Sequence, residues 1–257
     1  MKRGVFFLSG IVVVLGLFGV ILPWEDIGAL IRDLPRHNSF QYLTRFSLSA
    51  GYFEAAYRTL DDPHVYIVLS DTGSPAGKVI GFFTASPYNH VSLAFDPGIK
   101  TLVSYNGGNG ISGPGLNAER PEHLNRKPSA SLVVYRLKIT PDQKRALIER
   151  LGVINYEGSS YNLLGLITGK SILPNIMFCS QFVYTVLKDA GAVYFSKKNG
   201  KVIPMDFANL ARGDRLEFTG KIALNPLNAG SGISLSRAKN FSITLDSRSI
   251  TSYNLIR

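Results

Sequence analysis

The chain's 257 residues are 45% hydrophobic and 18% charged, a balance that excludes disordered and collagen-like chains and fits one compact domain of about 200 residues. A single cysteine excludes an intramolecular disulfide and any cysteine-rich zinc site. The net charge of +10 favours anionic neighbours; with no RNP-like segment, zinc-finger spacing or dense Arg-rich helix, an envelope polymer or acidic lipid surface is expected before nucleic acid.

The 21 residues from Gly4 to Trp24 carry no charge, matching the ~20 a helix needs to cross a hydrocarbon core. Lys2 and Arg3 precede the run and Glu25 and Asp26 follow it. Residues 1–24 therefore read as a single-pass signal anchor, with the start cytoplasmic and everything after it outside the cytoplasm. A cleaved signal peptide fits less well, because no small-x-small site follows the run; a buried core helix is the remaining alternative.

Residues 25–62 read as helical, either a juxtamembrane stalk or a helix packed on the domain. From Pro63 the pattern changes to short strands: "HVYIVLS", then "KVIGFFT" as a helix or strand, then "NHVSLAFD", with "KTLVSYN" as its hairpin partner across the Asp96-Pro97-Gly98 turn. The glycine-rich stretch from Asn106 to Gly115 reads as a loop and opens no helix, which argues against a phosphate cradle. "ASLVVYRLKI" is another strand, and Thr140 with Pro141 caps and opens a helix to about Leu151. A second helix spans about 180–190 and ends at Gly191, a short one starts near Asp206, and "RLEFTGKIAL" closes the domain as a strand. Residues 63–225 thus form an α+β domain, and 226–257 a basic, Ser-rich extension.

The lone cysteine, Cys179, lies at the start of the helix whose Phe182, Val183, Val186, Leu187 and Ala190 define one apolar face. A free cysteine is most often a small buried hydrophobe. Here, however, the helix dipole and the unpaired N–H groups of the first turn favour a thiolate and offer donors to an oxyanion. A thiol nucleophile needs a base. Of the four histidines, His37 and His123 sit in polar segments and His64 at a strand edge. His90 opens "HVSLAF" and shares a strand face with Ser92 and Ala94, small neighbours expected to let a helix approach.

The combination "YNHVSLAFD…LVSYNGG" followed by "FCSQFVYTVLKDAG" resembles the permuted branch of the NlpC/P60 superfamily of papain-like cysteine hydrolases, the YiiX/YebB-like type. In that branch the histidine strand precedes the cysteine helix, as His90 precedes Cys179 here. The resemblance runs from about His64 to Leu224. It implies a permuted papain-like fold with an antiparallel sheet packed on the nucleophile helix, Cys179 as nucleophile and His90 as general base. By the same alignment the residue orienting the imidazole falls in "LVSYN", at Ser104, with Asn106 on the same strand face. Tyr161 in "SSYNLLGL" matches the tyrosine that helps form the oxyanion site, its alternative being a packed aromatic; Ser180 completes the expected oxyanion and substrate-binding set. No metal or cofactor is implied.

The function expected is a membrane-anchored cysteine hydrolase that cleaves an amide bond through a thioester, with cell-wall peptide as the leading substrate. Two alternatives stand beside it: an acyl-lipid hydrolase or acyltransferase, and a non-catalytic envelope-binding protein on the same scaffold.

Overall fold

The computed structural model describes residues 43–72, 87–108, 112–124, 130–162, 165, 174–211 and 215–224. The apolar run to Trp24, "KVIGFFT" and the basic extension lie outside these residues. Among the described residues no helix is long and apolar enough to cross a membrane.

Alternating and continuous apolar runs build the strands β1 (His64–Ser70), β2 (His90–Ala94) and β5 (Ser131–Lys138), and shorter, more polar segments form β3 (Val103–Asn106) and β4 (Gly115–Ala118). With β8 (Leu216–Ala223) they form one antiparallel sheet in the order β4-β3-β2-β1-β5-β8. Two-residue strands β6 (Ser160–Tyr161) and β7 (Ile176–Met177) pair in parallel beside it. The protein is therefore mixed α+β with an antiparallel sheet, as the alternation of elements predicts.

The four helices among the described residues are α1 (Ala50–Tyr57), α2 (Pro141–Glu157), α3 (Cys179–Asp189) and the single turn α4 (Asp206–Asn209). Helix α2 opens where expected. The Thr140 hydroxyl accepts from Gln143 N–H while the Gln143 side chain accepts from Thr140 N–H, a reciprocal cap contributing about 1 kcal/mol. It runs six residues past Leu151, because Leu151 and Ile154 keep the 3.6-residue period and both are fully buried.

The sheet has two unlike faces. Val65, Ile67, Leu69, Val91, Leu93, Phe95, Val103 and Tyr105 turn toward the helices and form the main core with Leu147, Leu151, Phe182, Val183, Val186 and Leu187. Tyr105 stacks on Phe182 with ring centroids 4.6 Å apart, seating α3 against β3. Tyr66, Val68, Ala94, Leu132 and Val134 turn the other way into a smaller cluster with Ile99, Leu102 and Leu124. Helix α3 therefore packs on the Val91/Leu93 face. Sequence reasoning had placed it over Ser92 and Ala94, the small neighbours of His90; the larger apolar area on the opposite face decides the matter.

Residues 43–62 belong to the packed unit. Asn155 binds both the N–H and the carbonyl of Leu48 at 2.9 and 3.0 Å. Fully buried Lys144 donates to the carbonyls of Thr59 and Asp62 at 2.7 and 2.9 Å. The described part of the 25–62 segment is thus a strap on the domain rather than a stalk. Gly158 permits it: at φ 97 a side chain is strained, and a Cβ there would lie 2.9 Å from Arg45 Cγ.

Candidate active site

Helix α3 begins without a side-chain cap: Phe178 occupies the cap position, where Ser, Thr, Asp or Asn is usual. The first helical hydrogen bond runs from Phe182 N–H to the Phe178 carbonyl at 2.9 Å. The N–H groups of Cys179, Ser180 and Gln181 thus start the helix without intrahelical partners, at the positive end of its dipole. Cys179 heads this turn and is 1% exposed.

His90 is the first residue of β2, so its ring stands at the end of the sheet, where the start of α3 reaches it. The Cys179 thiol lies beside the imidazole, near enough for the two groups to act on each other's charge. The other side of the ring is occupied: His90 Nε2 lies 3.0 and 3.1 Å from the two carboxylate oxygens of Glu119. An ionised carboxylate only accepts, so Nε2 donates and Nδ1 is left to face the thiol.

Glu119 follows β4 and shares the sheet face of His90, Ser92, Ser104, Asn106 and Asn117. Its carboxylate also accepts from Ser92 Oγ at 2.6 Å and Asn106 Nδ2 at 2.8 Å. Asn106 is held in turn, its Oδ1 accepting from Asn117 Nδ2 at 3.0 Å and Gly108 N–H at 2.9 Å. This dry layer sets the charges. Burial opposes ionisation of Glu119, but the His90 charge and the bonds from His90, Ser92 and Asn106 outweigh it and hold the carboxyl below its ordinary value. Burial likewise opposes a charged His90; the charges of Glu119 and Cys179, with the hydrogen bonds from both, overcome it and raise the imidazole well above the usual histidine range.

Tyr161 is buried beside this pair, and burial first, then the negative charges of Cys179 and Glu119, raise its hydroxyl well above the usual tyrosine value. It keeps its proton and remains a donor.

Of the residues expected from sequence, the structure brings together Cys179, His90 and Tyr161. The side chains of the other three are engaged elsewhere. Ser104 does not orient the imidazole: its hydroxyl donates to the Val91 carbonyl at 2.7 Å, a bond between neighbouring strands. Asn106 donates its amide N–H to Glu119 and makes no bond to the imidazole. The Ser180 hydroxyl is committed to the Val202 carbonyl at 2.6 Å, so only its backbone N–H is placed for an oxyanion. Sequence reasoning missed Glu119 itself. The available signal was "GLNAE", four residues of strand ending on an acid, set in a stretch read as loop.

Among the described residues no three His, Cys, Asp or Glu side chains are grouped as metal ligands. Comparison with protein-family models, curated proteins and solved structures finds no match.

Proposed function

We propose that this chain is a cysteine hydrolase working through a Cys179–His90–Glu119 relay on a permuted papain-like fold. One observation carries the reading: the only thiol in the chain heads an uncapped helix and stands beside an imidazole whose Nε2 is bound to a buried carboxylate. Core packing alone requires none of these three features together.

The chemistry follows from the charges. The Cys179 proton passes to His90 Nδ1, and Glu119 stabilises the resulting imidazolium without taking the proton. The thiolate attacks a carbonyl carbon, and the oxyanion is met by N–H groups at the start of α3 and by the Tyr161 hydroxyl. The C–N bond breaks as His90 gives its proton to the leaving amine. Water then attacks the thioester, returns a proton to His90, and releases a carboxylic acid and the free thiol.

The substrate we favour is a peptide amide of the cell envelope, reached by a domain held outside the cytoplasm by the Gly4–Trp24 anchor and drawn by the net positive charge to anionic polymers. The test uses the full chain. Iodoacetamide labelling of the single thiol, followed by mass spectrometry, is expected to slow strongly at neutral pH in His90→Ala; equal labelling of the two proteins refutes the pairing. Turnover of purified peptidoglycan peptides, abolished in Cys179→Ala, tests the substrate class.

A further inference from the structure

The two most exposed large hydrophobic side chains among the described residues stand together. Phe46 is 67% and Tyr156 71% exposed, and their rings meet edge to face with centroids 6.0 Å apart. Val153, 44% exposed, lies one helical turn before Tyr156 on α2. Phe53 of α1 packs against neighbouring Gly152, where an added Cβ would lie 3.9 Å from its ring. Phe46, Tyr156 and Val153 thus make an exposed apolar ledge where the strap meets α2, with Phe53, half-buried against the core, beside it.

Phe46 is held out at a conformational cost. Its φ is 52, in the left-handed region that bulky side chains avoid, and its N–H is fixed to the Asn155 carbonyl at 2.8 Å. A fold that strains its backbone to keep a phenylalanine in water is presenting it to something. What that is follows from the chain leading to it. Eighteen residues, 25–42, separate the anchor's last residue, Trp24, from Leu43. Fully extended they reach about 60 Å, and as helix about 27 Å. Phe46 lies four residues beyond their end, so the ledge is the part of the domain tethered nearest the bilayer, at an effective concentration high enough for a weak contact to be populated. Aromatic rings are the side chains that settle at headgroup depth.

We infer that the Phe46–Tyr156–Val153 ledge seats the domain on the surface of the bilayer that its own anchor spans. The inference rests on the anchor reading and sharpens the substrate. Thr44 bridges to Ser159, two residues before Tyr161, so the strap meets the end of the sheet that carries the active site. A domain seated by the ledge holds that end close to the headgroups, where it meets amides or esters presented at the membrane surface.

Trp24 is the only tryptophan, which makes the test clean. The full chain carrying Trp24→Phe and Phe46→Trp is reconstituted into phosphatidylcholine–phosphatidylglycerol vesicles with shallow acyl-chain bromination. Seating predicts emission shifted to the blue and quenched at least about twofold by brominated lipid, both lost with Tyr156→Ser and Val153→Ser added. Those changes leave iodoacetamide labelling of Cys179 in detergent unaltered. Solvent-like, unquenched emission overturns the inference. Blue-shifted but unquenched emission also overturns it, because residues 25–42 or a second copy then cover the ledge. If the unsubstituted chain fails to stay with vesicles, the anchor reading falls and the seating with it, while the labelling comparison of His90→Ala still judges the catalytic proposal.

Discussion

Replacing Glu119 by glutamine removes the charge behind His90 with little change of shape. In the native protein the carboxylate accepts from His90, Ser92 and Asn106. Asn106 cannot turn to accept instead, because its oxygen already serves Asn117 and Gly108. The Ser92 hydroxyl can rotate. The amide therefore settles with its NH2 toward Ser92 and its oxygen toward His90 and Asn106, and the fold survives. What is lost is the attraction between imidazolium and carboxylate, ~4 kcal/mol at about 4 Å between charge centres with an effective dielectric near 20. The amide oxygen still accepts from Nε2 and offsets up to about half. The remaining ~2–4 kcal/mol weakens formation of the thiolate–imidazolium pair by roughly 30- to 1,000-fold. Alkylation of Cys179 by iodoacetamide reads this directly, since the chain has no other thiol. At pH 6 the Glu119→Gln rate should fall by that factor. A rate at pH 6 within about threefold of wild type, in a folded protein, refutes the relay.

Ser104→Ala should leave that alkylation profile unchanged and cost about 0.5–1.5 kcal/mol in urea unfolding, the value of one buried hydrogen bond to the Val91 carbonyl. Lys144→Met should destabilise by about 2–4 kcal/mol, because the Asp62 carbonyl loses a buried charged donor and the strap loses its fastening to α2; urea midpoints and hydrogen exchange over 43–62 check it. Stability should also depend on pH through the relay. Glu119 has its value lowered in the fold, so its contribution is complete above the ordinary 4.5 and is lost as pH falls through the folded value. His90 has its value raised, so its contribution is complete below the ordinary 6.5 and is lost as pH rises through the folded value. Urea midpoints in Glu119→Gln should be flatter on both limbs than in wild type.

The strands of the sheet were legible wherever burial is simple. "HVYIVLS" and "ASLVVYRLKI" carry enough branched apolar residues to be strands in any setting. Thr140 with Pro141 marked the start of α2, and Gly191 the end of α3, where φ is 64. Strand β4 was not legible. Its four residues, "GLNA", include one large hydrophobe, and buried Asn117 looks like a loop residue unless its partners on Asn106 and Gly113 are known. Glu119 was hidden for the same reason: its three partners come from β2 and β3, up to 29 positions away. The pairing of Cys179 with His90 was reached, but from the wrong face, since small neighbours mattered less than the position of His90 at the strand's first residue.

That position explains how the site is assembled. The helix face of the sheet delivers the thiol, and the opposite face delivers the carboxylate. An imidazole in the middle of β2 would meet only one of them, because five strand residues are walled by β1 and β3 on either side. At the first residue the ring stands at the end of the sheet, with Nε2 bonded to Glu119 in the polar layer and Cys179 of α3 beside it. The two cores then do different jobs. The apolar one fixes where the Cys179 thiol stands, through Tyr105 on Phe182; the polar one keeps Glu119 charged in a dry place, through Ser92 and Asn106. Weakening the first moves the thiol, whereas weakening the second leaves it in position beside a histidine that no longer holds a charge.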